Sequence, residues 1–398
     1  MIELSFRFTT SNADSSDAAP IRVSLFRPDS GTYTEPAEFI PPLDDAALAE
    51  IHWYLELYSD WPTAVERNRA QRVEQKLEGW GNALRQRVLT NEAGMRLWQQ
   101  FVDTPGDKLL TIDATDPRVL RLPWELLADD SGHLFAQGIS VRRRLQQATA
   151  TPTRPLTLPL RLLVVVARPD DGGFIDPRAV SRPLLAALET LAGQVVVEFL
   201  HPPTLAALTN RLRDRRQPPV HLVHFDGHGV YERQQGLGYL LFEDDNHQKD
   251  LVDADRIGTL LQQHHIPLMV LNACQSGKQE EANPYASVAA RLIRAGVGSV
   301  LAMNYSVLVV AAQKFVAAFY GGLATGATVG QAVDNGRFAL LANTNRHTVT
   351  RRDEDGNPYE EQVKLRDWFL PALYQRAANP VLFDQTTAPP RPAFPTRS

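Results

Sequence analysis

The spacing of hydrophobic positions changes character along this 398-residue chain. Residues 1–35 alternate apolar and polar, which predicts one or two half-buried strands around a polar Ser/Asp turn near residues 11–18. From Asp44 to about Phe101 the period is helical, with Leu43, Ile51, Trp53, Leu55 and Leu57 early and a long amphipathic helix predicted over 64–88. Residues 108–113 read as a short strand. Residues 120–127 (LRLPWELL) place a proline where a helix can start. The polar, proline-punctuated stretch 146–159 marks a boundary.

Beyond that boundary, short apolar runs alternate with amphipathic ones. Strands are predicted at 162–167, 195–200, 220–225, 267–273 and 298–303. Helices are predicted around 184–191 and over 204–213, 253–263, 286–295, 307–323 and 329–341. Runs as apolar as LLVVVA and PLMVLNA cannot leave one face in water, so the sheet must be mostly parallel and covered on both sides. This gives an α/β fold class and three regions. An N-terminal α+β region of strands and long helices (1–150) is able to pack on an α/β region (151–385), and a Pro-rich tail or linker (386–398) ends the chain.

Composition narrows the class. Hydrophobic residues are 43% and charged residues 22% of the chain, which suits a soluble globular protein. The formal net charge is -5, and the basic runs at 142–144 and 211–216 are short, so no direct nucleic-acid partner is expected. The most apolar stretch, 295–312, contains Asn304, Tyr305 and Ser306. It reads as a strand passing into a helix, and no membrane partner is expected. A single cysteine excludes an intrachain disulfide and a cysteine-cluster metal site. The N-terminus lacks a basic start followed by an apolar run. Both observations favour a cytoplasmic location. No cofactor and no metal are expected.

Chemistry in open α/β sheets gathers at the carboxyl ends of strands. One buried run ends in Asp226-Gly227-His228-Gly229, and another in Asn272-Ala273-Cys274-Gln275-Ser276-Gly277. Glycines flanking His228 allow a sharp turn and the close approach of a peptide. Cys274 is the candidate nucleophile and His228 the acid/base group that protonates the leaving amine. The backbone N–H groups of Cys274 and Gly229 are the candidate oxyanion donors. Each residue alone has a plainer reading: a lone cysteine at a strand end is commonly a small buried hydrophobe. Together they occupy the same topological position on two strands. His224 reads as a core histidine. His221 and His224 stand at an odd offset on a strand, which sets them on opposite faces and argues against a shared metal.

Residues 221–229 (HLVHFDGHG) and 270–277 (VLNACQSG) resemble the two signature motifs of CHAT peptidases, caspase-fold (clan CD) cysteine proteases related to separase. The 46 positions between His228 and Cys274 are close to the caspase spacing. Residues 122–127, 238–243, 295–300, 319–323 and 367–374 resemble further elements of the family, so the likeness covers roughly 120–383. It implies a caspase-like three-layer α/β sandwich with a mostly parallel central sheet, a peptidase domain over 151–385 and a Cys-His dyad.

The function expected from the resemblance is a cysteine endopeptidase hydrolysing specific protein substrates, a regulated effector of a bacterial defence or cell-death-like pathway. The Arg-, Ala- and Leu-rich composition has a bacterial look. The partners are a protein substrate, with room for an activating sensor or adaptor protein. In caspase-like proteases the residue two before the nucleophile lines the first specificity pocket, here Asn272. Asp226 could supply a charge there if it turns inward, or else cap the glycine turn. Two polar loops, 277–283 and 343–367, read as solvated hairpins, or else as segments that frame the substrate groove or receive an activating partner. The alternative function is a catalytically silent caspase-fold interaction or signalling module. A dinucleotide-binding enzyme shares the sheet type but needs a Gly-rich fingerprint after the first strand, which is missing after 162–167.

Overall fold

The computed structural model describes residues 1–10, 19–59, 62–145, 156–172, 178–189, 191, 193–232, 237–272, 284–303, 308–352, 357–376 and 382. Strands Leu222–Asp226, Leu268–Asn272 and Ser299–Met303 are buried along their whole length, as their unbroken apolar runs require. With Leu160–Val166 and Val195–Phe199 they form a block of five parallel strands, in the order Val195–Phe199, Leu160–Val166, Leu222–Asp226, Leu268–Asn272, Ser299–Met303. Two of the crossovers run through helices whose starts are set by side-chain caps. Thr204 accepts from Ala207 N at 3.0 Å ahead of helix Leu205–Arg213, and Asp253 from Asp255 N ahead of helix Ala254–Gln263. Thr328 and Gln331 form a reciprocal capping box for helix Val329–Ala342.

The sheet does not stop at this block. Strand Pro371–Gln375 pairs antiparallel with Ser299–Met303 and parallel with Ile139–Arg144. Lys108–Asp113 and Ile2–Thr10 come next in parallel, then Ile21–Arg27 and Thr32–Tyr33 antiparallel, with Ala37–Phe39 also paired to Ile21–Arg27. The result is one twelve-stranded sheet with strands from both sides of residue 150. Helix Glu92–Asp103 packs on strands Ile2–Thr10 and Ile21–Arg27, and the long helix Ala64–Val88 packs on the segment 124–133. Helix Ala64–Val88 approaches the turn Trp124–Leu126 so closely that a Cβ at Gly81 would stand 2.0 Å from the Leu126 carbonyl oxygen.

A buried charge cluster fastens the two halves. Glu125, 1% exposed, accepts from the Arg143 guanidinium at 2.6 and 3.3 Å, and the Arg337 guanidinium stands 3.6 Å away. Arg143 also donates to the Leu122 carbonyl and the Tyr374 hydroxyl, both at 3.2 Å. Arg337 donates to the Pro371 carbonyl at 2.7 Å and pairs with Asp334, which also holds Arg142 at 2.9 Å and Ser140 at 2.6 Å. Burial alone would raise the Asp334 carboxyl, but Arg142 and Arg337 hold it below the usual range. The cluster joins the turn that carries Glu125, strand Ile139–Arg144, helix Val329–Ala342 and strand Pro371–Gln375.

The structure departs from the sequence reading at one strand. Ile139–Arg144 is an interior strand although it ends in three arginines, because Arg142 and Arg143 are neutralised inside the cluster. The charged stretch 343–367 holds a hairpin, Asn345–Arg352 with Pro358–Lys364, as its plainer reading expected. A buried Arg346–Asp367 ion pair closes its base, and Glu361 is shared by Arg67 and Arg351. The buried positions of the hairpin are Arg346 and Val363. We expect Glu125→Ala to lower unfolding stability by about 3–5 kcal/mol in urea melts, because it leaves the buried Arg143 guanidinium without its carboxylate. A loss under about 1 kcal/mol would show that the cluster does not fasten the fold.

Candidate active site

Strands Leu222–Asp226 and Leu268–Asn272 lie side by side in parallel register, with Asp226 opposite Asn272. The pairing is kept to the strand ends: Ala167 N donates to Asp226 O at 2.9 Å and Gly227 N to Asn272 O at 3.3 Å. Beyond Asp226 the chain turns at Gly227, where a Cβ would meet the Phe225 ring at 2.8 Å, so only glycine fits. His228 comes next, 5% exposed. The chain then enters a separate three-stranded antiparallel sheet of Gly229–Glu232, Leu237–Glu243 and Lys249–Asp253.

His228 therefore lies, with Gly227, in the two-residue link between two sheets. Its carbonyl accepts from Leu241 N at 2.9 Å. That bond makes the opposed residues Gly229 and Leu240 a non-hydrogen-bonded pair, so the Gly229 N–H points away from the neighbouring strand. The chain from Asn272 reaches Cys274 two positions later, the same offset that separates Asp226 from His228. Cys274 itself lies outside the described residues, as do the rest of its turn and the stretch 277–283.

Asp226 is fully buried, and its Oδ2 accepts from the Arg168 guanidinium at 2.5 Å. A second Arg168 nitrogen donates to the carbonyls of Ala167 and Asp226, both at 2.8 Å. Burial pushes the Asp226 carboxyl up to about 6, with Arg168 pulling in the opposite sense. The Arg168 backbone N–H donates to Glu243 Oε1 at 2.8 Å, and Glu243 Oε2 meets His247 Nδ1 at 2.9 Å. Sequence reasoning passed over Arg168 and Glu243. The signal available was position: Arg168 stands just past the carboxyl end of the apolar run 162–167.

Asn272 is 6% exposed. Below it lies a cavity of about 10 Å³ lined by His224, Val270, Phe315, Phe319 and Tyr320 among others. That is room for about one water-sized centre, so the floor beneath Asn272 is closed to a substrate side chain. His224 is the core histidine expected: its Nδ1 lies 2.9 Å from the Tyr320 hydroxyl, its Nε2 has no hydrogen-bond partner, and burial lowers its pKa to about 4. His221 is lowered to about 4 as well, by burial and then by Arg161. Among the described residues, no three His, Cys, Asp or Glu side chains are grouped to hold a metal ion, and no helix is long and apolar enough to cross a membrane.

The profile of a protein family described as CHAT domain matches residues 81–379. It reaches back across the 150 boundary, as the sheet does. Among solved structures, the Saccharomyces cerevisiae separase-securin complex matches with a TM-score of 0.54 at 11% identity. The match covers 94% of this chain and 30% of that one. A second structure of the complex gives 0.48 at 9% identity over the same shares. The Drosophila initiator caspase Dronc gives 0.31 at 10% identity, covering 58% of this chain and 89% of that one. At 11% identity the separase match shows the fold, a mixed α/β architecture with a mostly parallel central sheet. No curated protein sequence matches.

The buried histidine gives a pH signature. Above pH 6.5 His224 is neutral in the folded and unfolded chains, and its contribution to stability is full. As pH falls from 6.5 towards 4 the unfolded chain takes up a proton that the folded one refuses, and stability is lost. Asp226 has the opposite sign, losing stability as pH rises from 3.8 to about 6. Its effect cancels when His224→Gln is compared with wild type. Urea melts between pH 6.5 and 4 should show the variant losing about 3 kcal/mol less than wild type. Parallel curves would remove His224 from the acid response.

Proposed function

The chain belongs to the CHAT-domain family, and on that premise we propose that it is a cysteine endopeptidase whose catalytic pair is Cys274 and His228. The observation that carries this reading is the register of the two strands. Asp226 opposes Asn272, and each strand leads, two residues on, to one member of the pair. Adjacent parallel strands are about 4.8 Å apart, the scale on which a thiol and an imidazole can share a proton.

In this mechanism the Cys274 thiol passes its proton to His228 and its sulfur forms a bond to the scissile carbonyl carbon. The carbonyl oxygen takes up negative charge, and the N–H groups of Gly229 and Cys274 receive it. The orientation of the Gly229 N–H, away from its own ladder, supports that role. The C–N bond breaks as His228 delivers a proton to the departing amine. Water, deprotonated by His228, then hydrolyses the thioester and restores the thiol.

The first specificity pocket is built beside Asn272 and carries no net negative charge. The Asp226 carboxylate is already held by Arg168, and Asn272 offers only a neutral amide. The enzyme acts as a regulated cytoplasmic effector on a specific protein substrate, with an activating sensor or adaptor as a second partner. Yeast separase, of whose chain this one spans 30%, was solved in a complex with securin, which supports a protein partner for this fold.

Cys274→Ala and His228→Ala should each abolish cleavage, with losses of at least about 1000-fold and an unchanged fold, since a dyad acts as a unit. Identification of newly formed peptide termini in a cellular proteome exposed to wild type and to Cys274→Ala tests this and names the substrate. Near wild-type cleavage by either variant would refute the dyad. A panel of fluorogenic peptides varied only at the residue before the cut should show no absolute need for a basic side chain. Exclusive cleavage after Arg or Lys, lost in Asp226→Asn, would make Asp226 the base of the pocket.

A further inference from the structure

Gly227 and His228 are the two residues that link the large sheet to the small one, and Arg168 bonds to both sheets. On the large sheet, Arg168 grips the last residue of the histidine strand, donating to the Asp226 carbonyl at 2.8 Å and to Oδ2 at 2.5 Å. On the small sheet, its backbone N–H holds Glu243 at 2.8 Å, at the end of the strand whose Leu241 N–H bonds the His228 carbonyl. We propose that Arg168 is a positioning residue for His228, fixing the angle at which the imidazole leaves the sheet. This rests on the dyad reading above and extends it.

Stability gives no reason for this arrangement. Asp226 is fully buried, yet its Oδ1 has no hydrogen-bond partner, and neither does Arg168 Nε. A buried pair left partly unsatisfied is commonly no more stable than apolar residues of the same size. What the pair supplies is direction. A planar guanidinium that meets two carbonyls and a carboxylate has one orientation, and a lysine or an apolar chain does not. The charged groups facing the pair are few. Glu243 holds the backbone rather than the guanidinium, and His247 sits beyond it, where Glu243 raises its pKa.

The chain's only cysteine provides a readout that needs no substrate. The rate of iodoacetamide alkylation is followed against pH in the full-length wild type, His228→Ala, Arg168→Met/Asp226→Asn and Arg168→Lys. The double variant removes both charges together, so no lone buried ion is left behind. It should keep the wild-type unfolding midpoint within a few degrees. Its alkylation at pH 7 should fall about tenfold, and the pH of half-maximal rate should move by about one unit toward that of His228→Ala. Arg168→Lys, which keeps the charge but not the fork, should fold as wild type and fall about threefold. If either variant folds and alkylates with the wild-type rate and profile, Arg168 does not position His228. Should the double variant fail to fold, Arg168→Lys decides alone. If His228→Ala leaves alkylation unchanged, the dyad itself fails and the clamp with it. A change in His228→Ala with none in the Arg168 variants refutes only the clamp.

Discussion

Glu125 is a carboxylate buried away from water, and the shape of the molecule is dictated by the groups it must hold. Removing such a group from solvent costs several kcal/mol unless its oxygens meet cations. Arg143 meets it directly, and Arg337 stands within 3.6 Å. Those arginines come from a strand before residue 150 and a helix well after it. Satisfying one carboxylate therefore obliges the N-terminal strands and the α/β block to close on each other. Pro371–Gln375, gripped through its first carbonyl by Arg337, is the strand caught between them.

The candidate site uses the same physics at smaller scale. Asp226 and Arg168 are a buried pair at a strand end, and they join two sheets rather than two halves of the chain. Both clusters supply geometry more than stability, since each leaves polar atoms without partners: Nε of Arg142 in one, Asp226 Oδ1 and Arg168 Nε in the other. The glycines at 81 and 227 do the complementary work. Each allows two pieces of the molecule to approach where a methyl group would block them.

Much of the α/β region was legible in the sequence. Runs such as 222–226 and 268–272 are too apolar to be anything but interior strands, and Thr204, Asp253 and Thr328 announce the helices that come after them. The placement of His228 at a strand's carboxyl end was readable for the same reason. What was hidden rests on charge meeting charge across long separations. Ile139–Arg144 looks too basic for an interior strand until Glu125 and Asp334 are set beside it. The hairpin 345–364 reads as wholly solvated until Arg346 finds Asp367. Arg168 looks like a surface residue until Asp226, 58 positions away, accepts from it. Periodicity reports which residues avoid water; it does not report which ions have found each other.

The direction of Pro371–Gln375 bears on how the chain is made. It is the only strand that touches both parallel blocks among the described residues, and it is the last of the twelve to leave the ribosome. Until it arrives, Ile139–Arg144 and Ser299–Met303 each carry a bare row of backbone donors and acceptors, the kind of edge that pairs with any strand that comes by. Closure spans more than two hundred residues of sequence, which makes it a slow step by the ordinary rule of loop entropy. During synthesis the nascent protein is therefore two unfinished sheets joined by a tether. Its exposure to mispairing ends only when the lock strand is in place.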